Sequence, residues 1–164
     1  MEGWINLDLP FFDIRSEKSW REFLGQKPFD AALLEHVLEH LTVADITQAL
    51  QIAKGYMHAQ SNIRIAVPDK NHPNPKYIDH VRPGGVGPGA DDHKSFWSYD
   101  EFAALAQELN LEIAPLEYYN SSGELIMNEM GIELGEIRRT ARKPRSGELQ
   151  DYSSLIVDLK LKVN

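Results

Sequence analysis

The sequence predicts an α/β fold: a mostly parallel sheet with helices on both faces, closed by an antiparallel hairpin at its C-terminal end. Three observations carry this. Strand-like apolar runs alternate with amphipathic helical stretches through most of the chain. The run "FDAALL" is nearly all apolar, as a strand buried on both faces requires. Three strand-like runs then follow one another without a helix between them.

In chain order, "GWINLDLP" reads as a short strand with Ile5 and Leu7 on one face and Pro10 ending it. "SEKSWREFLG" reads as a helix. Ser16 is the N-cap, Trp20, Phe23 and Leu24 form the apolar stripe, and Gly25 stops it. "FDAALL" is the second strand. Thr42 with Asp45 forms a capping box, after which Ile46, Ala49, Leu50, Ala53, Tyr56 and Met57 recur at helical spacing. "IRIAVPD" is a third strand, and Ser98 with Glu101 caps a helix carrying Phe102, Leu105, Ala106 and Leu109. "LEIAPLEYYN", "SSG" and "ELIMNE" read as a hairpin, and Leu155, Val157, Leu159 and Leu161 alternate as a final strand.

The 164 residues suffice for one domain with a real core, taken as 1–164. No apolar run has the length of a membrane span. "MEGWINLD" has neither a basic flank nor an apolar targeting segment, so a cytoplasmic location is expected. With no cysteine, disulfides, thiolate zinc sites and cysteine nucleophiles are excluded. The net charge of −8, from 25 acidic and 17 basic residues, argues against a nucleic-acid partner. One basic cluster departs from that balance: Arg138, Arg139, Arg142, Lys143 and Arg145, either a solvated loop or a contact for an anion.

Each of the first three expected strands ends at an acid: Asp8, Glu35 and Asp69. In an open parallel sheet these would gather at the carboxyl edge, where ligands bind. Asp8 suits the hydroxyl pair of a ribose, and Asp13 in "FFDIR" suits an exocyclic amine. "HVLEH", His36 to His40, matches the H-x-x-E-H pattern of inverted zinc peptidases, with Glu39 as general base. That pattern is short and lacks a third ligand at recognisable spacing, so no metal is expected.

Residues 68–95 show neither helical nor strand periodicity and contain five prolines, which predicts a long loop acting as a substrate lid. It carries His72, on the expected substrate side. Asp69 and His93 are its candidate catalytic groups, His93 acting as a base oriented by Asp91 or Asp92.

Taken together, "GWINLD", "FFDIR", "FDAALLEHVLEHL", "IRIAVPD", "HPNPKYIDHVRPGGVGPGADDHK" and "YSSLIVDLK" resemble class I S-adenosylmethionine-dependent methyltransferases, of the bacterial type 11-like group. The resemblance covers nearly the whole chain and implies a Rossmann-like fold with S-adenosyl-L-methionine as cofactor and a small-molecule acceptor. It implies that Asp8 holds the ribose, that Asp13 and Ile14 border the adenine, and that Glu35 and His36 lie near the methionine part. Glu39 and His40 would flank the substrate. The family's first strand and glycine-rich turn should precede "GWINLD", where only Met1 and Glu2 stand. This leaves a non-catalytic protein of the same fold as an alternative, with a zinc hydrolase on His36, Glu39 and His40 as a third reading. It also predicts an unpaired sheet edge and therefore a homo-oligomer.

Overall fold

The computed structural model describes residues 3–143 and 153–162. It contains helices α1 (Glu17–Leu24), α2 (Val43–Lys54), α3 (Pro75–Val81) and α4 (Tyr99–Glu108). The strands are β1 (Phe29–Glu35), β2 (Met57–Val67), β3 (Leu111–Tyr119), β4 (Leu125–Met127) and β5 (Leu155–Leu161). They form one sheet in the order β1-β2-β5-β3-β4. β1 and β2 pair in parallel, and β3 shares their direction. β5 runs the other way between β2 and β3, and β4 closes the expected hairpin on β3. The architecture is α/β with a mixed sheet. Only one neighbouring pair is parallel because the last strand enters the middle of the sheet.

The helix ends follow local chemistry. Ser16 accepts from the Ser19 N–H to open α1, and Gly25 closes it at φ 64, a left-handed turn that glycine adopts without Cβ strain. Thr42 with Asp45, and Ser98 with Glu101, form reciprocal capping boxes at α2 and α4.

The sheet's two faces are covered differently. Ile63, Ile65, Val67, Leu155, Val157 and Leu159 point to one side and pack with Trp20 of α1, Ile46 and Leu50 of α2, and Phe102 of α4. Fully burying each of the larger side chains contributes about 1.5–3 kcal/mol. On the other side, Ala66, Leu116 and Ile156 meet Ile137 from the segment joining β4 to β5. There the described part of this segment, which holds no helix, covers the expected second face, and buried polar groups hold it down. Arg64, 1% exposed, makes a two-pronged ion pair with Asp158 on the neighbouring strand and donates to the carbonyls of Gly131 and Gly135. Glu117 accepts from the Thr140 hydroxyl and the Ala141 N–H.

Three expectations are corrected. "GWINLDLP" forms no strand: Ile5 and Leu7 are exposed, since their alternation finds no neighbouring strand to pair with. β1 is largely apolar but mostly only half-buried, because it is the outer strand of the sheet. Residues 68–95 are not structureless. Asn74 and Pro75 start α3, Tyr77 and Val81 are buried, and a short 3-10 turn follows at Ala90–Asp92. Of the basic cluster, Arg142 bonds the carbonyls of Leu116 and Asn128 and Lys143 pairs with Glu136, while Arg145 lies outside the described residues.

Candidate functional site at the carboxyl ends of β1 and β2

β1 and β2 end side by side, with Glu35 opposite Ala66. β5 begins at the same edge because it runs antiparallel to β2, Leu155 lying opposite Val67. Side chains from the two strand ends therefore meet the residues that lead into β5.

The chain leaves β1 through His36, whose φ of 55 places it in the left-handed region, at a cost of about 1–2 kcal/mol for a residue with a Cβ. Several contacts hold it there. Its N–H donates to the Ala66 carbonyl at 2.8 Å. Its ring lies 2.7 Å from Glu39 Oε1 through Nδ1 and 3.0 Å from Ser154 Oγ through Nε2. A 3-10 turn at Leu38–His40 follows, with Leu38 and Glu39 buried. The H-x-x-E-H stretch is thus not an α-helix. His36 and His40 do not share a helix face, and Glu39 is tied to His36, so the inverted peptidase site is not formed.

Glu35 Oε1 accepts the backbone N–H groups of Arg138 (2.6 Å) and Arg139 (2.9 Å), anchoring the segment before β5. Asp69, fully buried after β2, accepts from the N–H groups of Asn71 (2.9 Å) and Tyr119 (2.7 Å). Burial pushes its carboxyl up to about 6 against those two bonds, with the charge of Glu117 adding to the rise. The Tyr77 hydroxyl donates to the Ser153 carbonyl and accepts from the Asp69 N–H. Asp69 therefore joins the ends of β2 and β3 and is not placed to exchange protons with a ligand.

The remaining candidates fall as follows. His72 is buried with its ring stacked on Tyr77 at 3.9 Å, a packing role in place of a substrate-facing one. His93 directs Nδ1 at the Val81 carbonyl, 2.6 Å away, and is not oriented by Asp91 or Asp92. Asp92 instead faces His40 Nδ1 at 3.3 Å. The His40 and His93 rings meet edge to face, 4.8 Å apart. Asp8 is exposed, follows no strand, and accepts from the Leu9 N–H, so of the three acids only Glu35 and Asp69 stand at the ends of strands. Asp13 is clasped by Arg15 through both oxygens, and that hydrogen bonding holds its carboxyl below the usual range. The Ile14 carbonyl accepts from the Trp20 indole.

Tested against S-adenosylmethionine, these residues fit in part. Asp8 keeps an exposed carboxylate oxygen and Glu35 keeps Oε2, whereas Asp13 is already satisfied by Arg15 and does not fit an adenine contact in this arrangement. A cavity of about 630 Å³ opens elsewhere, between α1 and α2, lined by Arg21, Gln48, Gln51 and Tyr56 among others, and none of the edge carboxylates lines it. Reasoning from sequence missed Ser154 and Tyr77. The serine pair in "YSSLIVDLK" was the available signal, since an antiparallel strand must start where its parallel neighbours end.

No family model matches the chain, and no curated protein matches it. Among solved structures it is similar to LepI in complex with SAM, with 12% identity over 83% of this chain and 27% of that one, at a TM-score of 0.49. It is also similar to a SAM-dependent methyltransferase from Archaeoglobus fulgidus, with 14% identity over 88% of this chain and 63% of that one, at a TM-score of 0.47. The chain thus spans about a quarter of the first structure and under two-thirds of the second.

Proposed function

We propose that the chain belongs to an S-adenosylmethionine-dependent methyltransferase acting on a small-molecule acceptor, with the ligand edge at the carboxyl ends of β1 and β2. The observation that carries this reading is the turn after β1. There "LLEHVLEHL", the stretch on which the family resemblance rests most heavily, places Glu35, His36, Glu39 and His40 at the end of a parallel strand pair. Asp8 would meet the ribose, and the open oxygen of Glu35 would meet the methionyl amine. His40 and His93 would face the acceptor. The sulfonium supplies an already activated methyl group, so the residues need only align the acceptor and exclude water. Self-association through the outer edge of β1 belongs to the same reading.

Calorimetric titration with S-adenosylhomocysteine tests it. Weak one-to-one binding is expected. Asp8→Ala should weaken it about tenfold, which corresponds to roughly 1.4 kcal/mol, the scale of one or two lost hydrogen bonds. Asp13→Asn should leave it within about twofold. Absence of saturable binding, or binding indifferent to Asp8, overturns the placement.

A further inference from the structure

The geometry points to a site for one divalent transition-metal ion formed by Glu39, His40 and His93. One ligand-capable atom from each of the three lies within 4.8 Å of the others. The site is independent of whether the same edge holds a sulfonium cofactor.

Three observations support it. Glu39 is 1% exposed, and its Oε2 is a buried carboxylate oxygen with no hydrogen-bond partner. Such an oxygen is costly unless a donor or a cation satisfies it. Each ligand is also held from behind on its other polar atom. His36 Nδ1 meets Glu39 Oε1, Asp92 Oδ2 meets His40 Nδ1, and the Val81 carbonyl accepts from His93 Nδ1. This leaves Glu39 Oε2, His40 Nε2 and His93 Nε2 for a common partner, and supporting bonds of that kind fix the ring orientation and tautomer of metal-binding histidines. Finally, the two pieces of chain are clamped together. The Glu39 carbonyl accepts the N–H groups of both Lys94 (2.7 Å) and Ser95 (3.1 Å), which seats His93 against the Glu39–His40 turn.

The donor set selects the ion. Two imidazoles and a carboxylate suit zinc and its first-row neighbours, whereas magnesium and calcium prefer oxygen alone. Ligand atoms around a tetrahedral zinc lie roughly 3.3 Å apart, so small rotations of the two half-buried imidazoles close the site. Three protein ligands leave a fourth position open, as in catalytic zinc sites. The sequence expectation of no metal rested on the lack of a third ligand at recognisable spacing downstream of "HVLEH". The structure supplies it from the stretch after α3.

Full-length protein freed of metal with a chelator, then titrated with zinc by calorimetry, tests the proposal. One ion per chain is expected, and cobalt in its place should give the visible absorption of a tetrahedral site. His40→Ala and His93→Ala should each weaken binding at least about 100-fold, and Asp92→Asn about 10-fold. His58→Ala, at a histidine paired with Asp30 elsewhere, should change nothing. Glu39→Gln is the third ligand test. Should burial of that residue prevent folding, the two histidine variants decide the outcome, with circular dichroism confirming that they fold. Zinc weaker than about 100 µM, or binding that survives both His40→Ala and His93→Ala, overturns the site.

Discussion

Asp69→Asn is the perturbation with the clearest sign. In the folded chain the Asp69 carboxyl is fully buried and its pKa is raised from 3.8 to about 6. A carboxyl that holds its proton more tightly when folded favours the folded state while protonated. Its contribution is therefore greatest at low pH and is lost as pH rises from about 4 through about 6. Between about pH 4.5 and pH 7.5 this linkage lowers stability by about 2 kcal/mol, from a total of about 3 kcal/mol over the full range. Asparagine does not titrate, so the variant lacks this slope. It also keeps only one good acceptor for the two N–H groups of Asn71 and Tyr119, at a fixed cost of about 1–3 kcal/mol at every pH. Urea unfolding of both proteins across that range should show the gap between them narrowing by about 2 kcal/mol toward neutral pH. A gap constant to within about 0.5 kcal/mol would mean that Asp69 is ionised throughout, and would refute the burial argument.

Two further outcomes follow from the sheet. Arg64→Met strands Asp158 in the interior and should cost about 3–5 kcal/mol, whereas the double variant Arg64→Met with Asp158→Leu should recover most of that loss in the same urea assay. A double variant no more stable than the single would show that the bonds from Arg64 to Gly131 and Gly135, not the ion pair, dominate. The outer edge of β1 has no strand partner among the described residues. Light scattering at micromolar concentration should show more than a monomer. A clean monomer would count against pairing at that edge.

What was legible in the sequence was whatever depends on neighbours a few residues apart. The capping boxes at Thr42 and Ser98, the stop at Gly25 and the hairpin turn at Asn120 to Gly123 all involve groups within one or two turns of chain. The failures have the opposite character. Ile5 and Leu7 alternate correctly for a strand, but a strand needs a partner that local pattern does not provide. α3 carried its signals, Asn74 as cap and Pro75 at the first position, yet its seven residues sit among prolines and glycines that obscured them. At the site, the gathering of Glu35, His36, Glu39 and His40 was readable because a strand end must turn. The approach of His93 was not, because it depends on how α3 folds back onto the edge.

The carboxylates of this edge show why the strand-ending acid was an incomplete guide. Any acid at the end of a buried strand faces two demands: the loop beyond it exposes backbone N–H groups that need acceptors, and a ligand needs the same oxygens. Asp69 has spent both oxygens on Asn71 and Tyr119. Glu35 has spent one on Arg138 and Arg139, and Asp13, nearby in the same reading, has spent both on Arg15. In each case the nearest donor in the folded chain wins, since a bond already made internally costs no further ordering. Glu39 is the exception. It is buried in the turn, spends one oxygen on His36, and leaves the other buried with no hydrogen-bond partner. The carboxylate that the resemblance assigned to the substrate side thus keeps a buried oxygen that folding alone does not satisfy, which is why the proposed ion is put at Glu39 and not at the acids that end the strands.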